Sequence, residues 1–304
     1  MSITKPLKGA IVECVPNFSE GRRPEVIKVI MNEIDSVPGV KVLDLHSDPD
    51  HNRSVITFIG KPSAVVEAAV SAVRASERLI DLNKHEGVHP RLGAADVIPL
   101  VPIRDISMSD CIDLARELAK RIWNETEIPT YLYGFAALRG DRTRLEKVRL
   151  KGFEQMRELV KKDRKKRPDF GGPGLHPTAG ASIVGAREPL IAFNVNLKSK
   201  DLKVAEEIAE AIREKNSGLA GLKALGLKLS SGKCVQVSTN ITRTDLVSPY
   251  SVYGLIKAEA GERGVSIAGS ELVGLIPLNS VVMSARDSMM LDSFSQSRVI
   301  ELNL

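Results

Sequence analysis

Four of the five histidines, His46, His51, His85 and His89, fall before residue 90, in polar or Gly/Pro-interrupted stretches instead of apolar runs. Imidazole titrates near neutral pH, so a histidine presented on a loop is a natural acid-base group. The segment Lys84-His85-Glu86-Gly87-Val88-His89-Pro90-Arg91-Leu92-Gly93 follows a predicted helix and precedes a predicted strand. A rigid frame can present side chains there, and this segment is the first catalytic candidate. His85 to His89 also fits H-E-x-x-H literally, the pattern of a zinc site on one helical face. Gly87 and Pro90 argue against a continuous helix, so acid-base work by one histidine is expected and a metal is not. The bland alternative is a pair of loop histidines that satisfy backbone groups.

A second constellation follows Asp169 and Phe170: Gly171, Gly172, Pro173, Gly174, Leu175, His176, Pro177, Thr178, Ala179 and Gly180. Its glycines let backbone approach a ligand closely. It lacks the Gly-Lys-Ser/Thr ending of a phosphate loop and the G-x-G-x-x-G spacing, so nucleotide phosphate binding has no support, and a flexible hinge is the alternative. Asn17, Asn52, Arg53, Asn194 and Asn240 stand at the edges of predicted strands, where polar side chains can meet a substrate; turn formation is the alternative for each. Arg53, Arg91, Lys198 and Arg243 are candidates for holding carboxylates, which guanidinium grips bidentately.

The elements that must position these residues are legible from apolar spacing. A strand is expected from Ala10 to Val15, a loop at Pro16 to Gly21, and a helix from Glu25 to Val37 on the spacing of Val26, Ile27, Ile30 and Ile34. Strands at Val40 to Leu45 and Ser54 to Ile59, a helix at Ser63 to Ile80, a strand at Asp96 to Val101 and a helix at about Ser109 to Trp123 follow. The order β-α-β-β-α-β is the ferredoxin-like motif. After a strand at Thr130 to Gly134, one charged helix is expected from Arg144 to Arg167, ending in a basic run as a solvated connector. The second half repeats the plan: strand Leu190 to Leu197, helix Asp201 to Lys215, strands near Leu222 to Leu229 and Val235 to Thr239, helix Ser248 to Arg263 and strand Glu271 to Ile276. Asp96 to Ile103 matches Glu271 to Leu278 at an offset of about 175 residues, as a duplicated fold would. The expectation is an α+β chain of two ferredoxin-like subdomains, 1–180 and 181–304, with a ligand cleft between them.

With 304 residues, 43% hydrophobic and 27% charged, the chain is longer than one core usually grows. No apolar run approaches a membrane span and the start lacks a signal-peptide core, so a soluble, cytoplasmic protein is expected, without a membrane partner. Cys14, Cys111 and Cys234 are odd in number and widely spaced, which supports neither a disulfide framework nor a zinc site. Net charge is +5, a mild invitation to anions. Only 4% of residues are aromatic and no basic-aromatic stretch suited to base stacking occurs, which argues against nucleic acid. Oligomeric state is not legible, and a homodimer is the prior expectation.

Val12 to Gly21, His89 to Asp96, Asp169 to Gly171, Leu190 to Leu197 and Gln236 to Asn240 together resemble the formiminotransferase domain of formiminotransferase-cyclodeaminase, in order and over nearly the whole chain. The resemblance implies two ferredoxin-like subdomains and transfer of a formimino group from N-formimino-L-glutamate to N5 of tetrahydrofolate, a co-substrate that needs no metal. It assigns catalysis to His89 and folate contacts to Gly171 through Gly180, with Asn17, His46, Asn52, Arg53, Arg91, Asn194 and Asn240 as substrate-binding candidates. His46 departs from the acidic residue, and Ala179 from the large aromatic, that family members carry. The chain stops at Leu304 without the helical cyclodeaminase domain of bifunctional members, so that second activity is not expected. The basic run Lys161 to Arg167 is a candidate for attracting a polyglutamylated folate tail. Another one-carbon donor, formylglutamate or formiminoglycine, and a non-catalytic folate- or anion-binding regulator are the competing readings.

Overall fold

Strand β1 (Ile11–Cys14) lies within the first expected strand, and Pro16, which has no N–H to give a ladder, separates it from a short strand β2 (Asn17–Phe18) in the segment expected to be a loop. The computed structural model describes residues 9–49, 51–87, 90–149, 152–229 and 234–303. Helix α1 (Pro24–Asp35) buries Val26, Ile27, Ile30 and Ile34, the stripe its spacing predicts. Strands β3 (Val40–Asp48) and β4 (Arg53–Gly60), helix α2 (Pro62–Leu79) and strand β5 (Ala95–Arg104) follow. Helix α3 (Met108–Thr126) starts at a capping box between Ser107 and Asp110, and β6 (Thr130–Gly134) has its expected limits. The charged segment after Arg144 is not one helix among the described residues but α4 (Leu145–Arg149) and α5 (Gly152–Lys162), with Gly152 at φ 64°. Strand β7 (Ser182–Ala186) had no counterpart in the sequence reading.

In the first sheet β3 pairs with β4, and β4 flanks β1 and β2 on one side while β5 flanks them on the other, all antiparallel. β7 and β6 then extend the sheet from β5 by parallel pairing. Phe18, Ile30, Phe58 and Leu100 are fully buried in the main core, each contributing roughly 1.5–3 kcal/mol by leaving water. A second core gathers Leu92, Tyr131, Met156, Val160 and Ile183.

The second unit holds β8 (Ile191–Leu197), α6 (Leu202–Ile212), β9 (Leu222–Lys228), β10 (Val235–Ile241), α7 (Pro249–Glu262), β11 (Ile267–Val273) and α8 (Leu278–Met289). Its sheet order is β11-β8-β10-β9, all antiparallel, over a core of Val195, Ile208, Val237 and Ile256. The last strand lies earlier than the expected Glu271 to Ile276, because Gly274 turns the chain at φ 75°. Helix α8 was not foreseen. The chain is thus a mixed α+β protein with two sheets in two compact units, Met1–Arg187 and Glu188–Leu304. The unit boundary falls after the expected residue 180 because β7 is part of the first sheet.

Candidate active site

Asn52 joins three loops of the first unit. It sits at φ 48°, a conformation asparagine tolerates better than most residues. Its side-chain oxygen accepts from the Gly21 N–H at 2.9 Å, its amide donates to the Glu86 carbonyl at 2.9 Å, and its own carbonyl lies 2.8 Å from His85 Nε2. Only glycine fits at position 21, where a Cβ would lie 2.3 Å from the Asp48 carbonyl oxygen. Glu20, in the same turn, accepts from the N–H groups of Arg22 and Arg23 at 2.9 and 3.0 Å and from Arg23 Nε at 2.6 Å. Burial pushes its carboxyl up, but these bonds outweigh burial and hold it below the usual glutamate value.

Arg53 donates to the side-chain oxygen of Asn17, whose amide donates to the Val15 carbonyl at 2.8 Å. Burial lowers the Arg53 guanidinium to about 10, against the pull of Asp96, so it stays cationic at neutral pH. Asp48 accepts from His51 at Nδ1, 2.6 Å, and at its backbone N–H, 3.0 Å. Arg91, expected to hold a substrate carboxylate, is a brace: Nη2 donates to the carbonyls of Leu82 and His85 at 3.1 and 3.0 Å, and the guanidinium grips Glu154 bidentately at 2.7 and 3.2 Å. Asp96 accepts from the Leu92 N–H at 2.7 Å and pairs with Arg149 at 2.8 Å. Ser19, Glu20, Asp96, Arg149 and Glu154 were absent from the expected site. Ser19, Glu20 and Asp96 stood in the quoted motifs, but no spacing signalled the roles of Arg149 or Glu154.

His85 is held neutral below its ordinary titration, first by burial and then by the nearby Arg91 and Arg22 cations, against its bond to Asn52 and the charge of Glu20. With Nε2 facing a carbonyl oxygen, the ring donates there. Residues 85–87 are not helical, so the literal H-E-x-x-H match lacks the helix that a zinc site of that kind requires. His89 itself lies outside the described residues.

A cavity of about 580 Å³ opens beside this network, within the usual range for small-molecule sites, and Glu20, Arg23, Asn52, Lys84, His85 and Thr178 are among its walls. Of the expected folate segment, Thr178 reaches this cavity. Its carbonyl accepts from the Leu82 N–H at 2.8 Å, and the Pro177 carbonyl accepts from the Asn83 amide at 3.0 Å, which fastens the glycine-rich stretch to the turn before His85. His176 turns inward on its own loop, Nδ1 accepting from the Ala179 N–H at 3.0 Å, and Ala179 is buried in the main core while Leu175 packs against it. Gly171 packs on Trp123, and the Gly172–Pro173 peptide is cis. Asp169 pairs with Arg142 at 2.7 Å in a buried bridge at the root of the stretch.

Within the first unit, His46 does not line this cavity. His46 is exposed on β3, opposite Val55. Asn194 belongs to the second unit, where it accepts from the Thr239 N–H at 3.3 Å and donates to Glu271 at 3.4 Å, and Asn240 is exposed on β10 opposite Ala192.

Two family profiles cover both units: the formiminotransferase domain, N-terminal subdomain, matches residues 11–187, and the formiminotransferase domain matches residues 192–298. The chain belongs to the formiminotransferase family. It is 45% identical to glutamate formimidoyltransferase of Thermoplasma acidophilum, over 96% of each chain. Glutamate formimidoyltransferase of Streptococcus pyogenes serotype M1 is 42% identical over 95% of this chain and 97% of that one. Formimidoyltransferase-cyclodeaminase of Rattus norvegicus is 41% identical over 90% of this chain but 52% of its own length.

Proposed function

We infer that this chain moves a formimino group from N-formimino-L-glutamate to N5 of tetrahydrofolate, giving 5-formiminotetrahydrofolate and glutamate. The observation that carries this reading is the identity of more than 40% to two glutamate formimidoyltransferases along almost the entire chain. Tetrahydrofolate enters as co-substrate, and the amidine carbon of the donor is electrophilic without a metal. N5 attacks that carbon, a tetrahedral intermediate forms, and the glutamate nitrogen leaves. One proton must leave N5 and one must reach the departing nitrogen, and His89 is assigned both transfers as general base and then general acid.

The placement of Thr178 on the cavity supports folate contacts along Gly171 to Gly180, and that of Asn52 and Arg53 near His85 supports substrate contacts from this corner of the first unit. Within the first sheet β5-β1-β4-β3 follow the same order as β11-β8-β10-β9 in the second, each set running strand, helix, strand, strand, helix, strand along the chain apart from the short β2, and this supports a duplicated ferredoxin-like plan with β7 and β6 added to the first unit. Among the described residues no helix is long and apolar enough to cross a membrane. The test is turnover of N-formiminoglutamate with tetrahydrofolate, followed by the appearance of 5-formiminotetrahydrofolate, with His89→Ala beside the wild type. A fall of roughly 100- to 10,000-fold in the folded variant is expected. A wild type that binds folate and never turns over this donor overturns the reading.

A further inference from the structure

A second, much smaller pocket lies in the same corner, with Ser19, Asn52, Arg53, His85, Arg91 and Asp96 among its walls. It has about 10 Å³ of room for the centre of a water-sized sphere, which is on the order of what a single water needs. Among the buried polar atoms of its lining residues, His85 Nδ1 and Arg91 Nε have no hydrogen-bond partner. Such atoms are rare in native proteins, and each calls for a physical reason.

The two are chemically complementary. His85 Nε2 faces the Asn52 carbonyl oxygen, which can only accept, so the ring proton sits on Nε2 and Nδ1 of the neutral ring keeps its lone pair. Arg91 Nε carries an N–H that can only donate, while the other two nitrogens of that guanidinium are engaged with Glu154 and the carbonyls of Leu82 and His85. One water molecule carries the complementary groups for both: an oxygen that accepts from an N–H such as that of Arg91 Nε, and an O–H that donates to a lone pair such as that of His85 Nδ1. Three or so bonds to buried polar groups are what internal waters ordinarily make, and the polar lining supplies the rest.

We propose that this pocket is a one-water site, and that His85 acts through the water as a positioning residue by tying itself to Arg91. These two residues bracket position 89 in the sequence, so the bridge fixes both ends of the segment that carries the assigned acid-base group. The water site stands on the burial and chemistry of these two atoms in one small pocket; its kinetic consequence rests on the reading of His89 above.

A high-resolution crystal structure of the full chain tests the site without any assay. The expected result is one ordered water within hydrogen-bond distance of both His85 Nδ1 and Arg91 Nε; a direct bond from either atom to a protein group, or no density between them, overturns the proposal. His85→Gln tests the role, because it keeps a donor for the Asn52 carbonyl and removes the Nδ1 acceptor. Its kcat for formimino transfer is expected to fall on the order of 10- to 100-fold, as for a misplaced catalytic group, with both KM values held within about twofold. A raised KM at unchanged kcat means direct substrate binding, and an unchanged kcat means no positioning; either overturns the role. A wild type inactive on this donor removes the proposed function and leaves the crystallographic result to decide the water site.

Discussion

Asp96 Oδ2 lies 2.8 Å from Arg149 Nη1, with the two side chains 4% and 14% exposed, while Asp96 Oδ1 accepts from the N–H groups of Leu92 and Gly93 at 2.7 and 3.2 Å. One carboxylate therefore ties β5 to α4 and fixes the turn that follows Arg91. Asp96→Ala strands a mostly buried cation, and a loss of about 3–5 kcal/mol in stability is expected. Urea denaturation measures it. A loss below about 1 kcal/mol would place the pair with surface ion pairs, which contribute little.

The glycine-rich stretch contains positions that structure forbids to other residues, Gly180 among them, and one, Gly174, that it leaves open. Gly180 has φ 72°, and a Cβ there would lie 2.0 Å from the Leu92 carbonyl oxygen, whereas nothing lies within 4 Å of a Cβ at Gly174. Gly180→Ala is expected to lose about 2–5 kcal/mol, from left-handed strain and overpacking together. Gly174→Ala is expected to change stability by no more than about 0.5 kcal/mol. Thermal or urea melts of both variants are the check, and equal stabilities would contradict the packing of this segment on Leu92.

His85 and Glu20 give stability a two-stage dependence on pH. Both groups titrate lower in the folded chain than ordinarily, His85 chiefly by burial and Glu20 by hydrogen bonds that outweigh burial. For each, the unfolded chain takes up its proton first on acidification, so the contribution is complete above the ordinary value and declines as pH falls through the window below it. The His85 decline begins near about pH 6.5 and the Glu20 decline near about pH 4.3. Denaturation midpoints followed from neutral to acid pH should lose the first slope in His85→Gln and the second in Glu20→Gln. A slope unchanged by its own variant would reject that assignment.

Thiol chemistry should separate the three cysteines. Cys14 and Cys111 are buried, and burial pushes the Cys14 thiol far above its ordinary value, while Cys234 is partly exposed. The thiolate is the reactive form, so a thiol reagent should modify Cys234 in the native protein and the other two only on unfolding. Mass spectrometry of the native, briefly labelled chain reads this directly; early modification of Cys14 would contradict its place in the core.

Most elements were legible because their apolar residues repeat at a helical or strand period, as Val26, Ile27, Ile30 and Ile34 do in α1. Strand β7 was not, since its five residues follow directly on the glycine-rich stretch and show no alternation when both faces are buried. Helix α8 begins behind Pro277, past the expected strand Glu271 to Ile276, in a segment for which no element was expected. In the site, residue types were informative and partners were not. Arg91 was a plausible carboxylate ligand by chemistry, yet a carboxylate 63 positions along the chain, Glu154, already occupies it.

By itself the sequence determined the α+β class, the two-part plan and the family, because period, turn residues and ordered motifs are local properties of the chain. Only the tertiary structure decided which groups are spent on one another. It made Asn52 a hub for Gly21, Glu86 and His85, made Arg91 a brace, and placed Thr178 on the cavity while burying Ala179. Hydrogen bonds and ion pairs act over a few ångströms in space, and residues that meet there stand tens of positions apart in the chain, so no local pattern encodes the meeting.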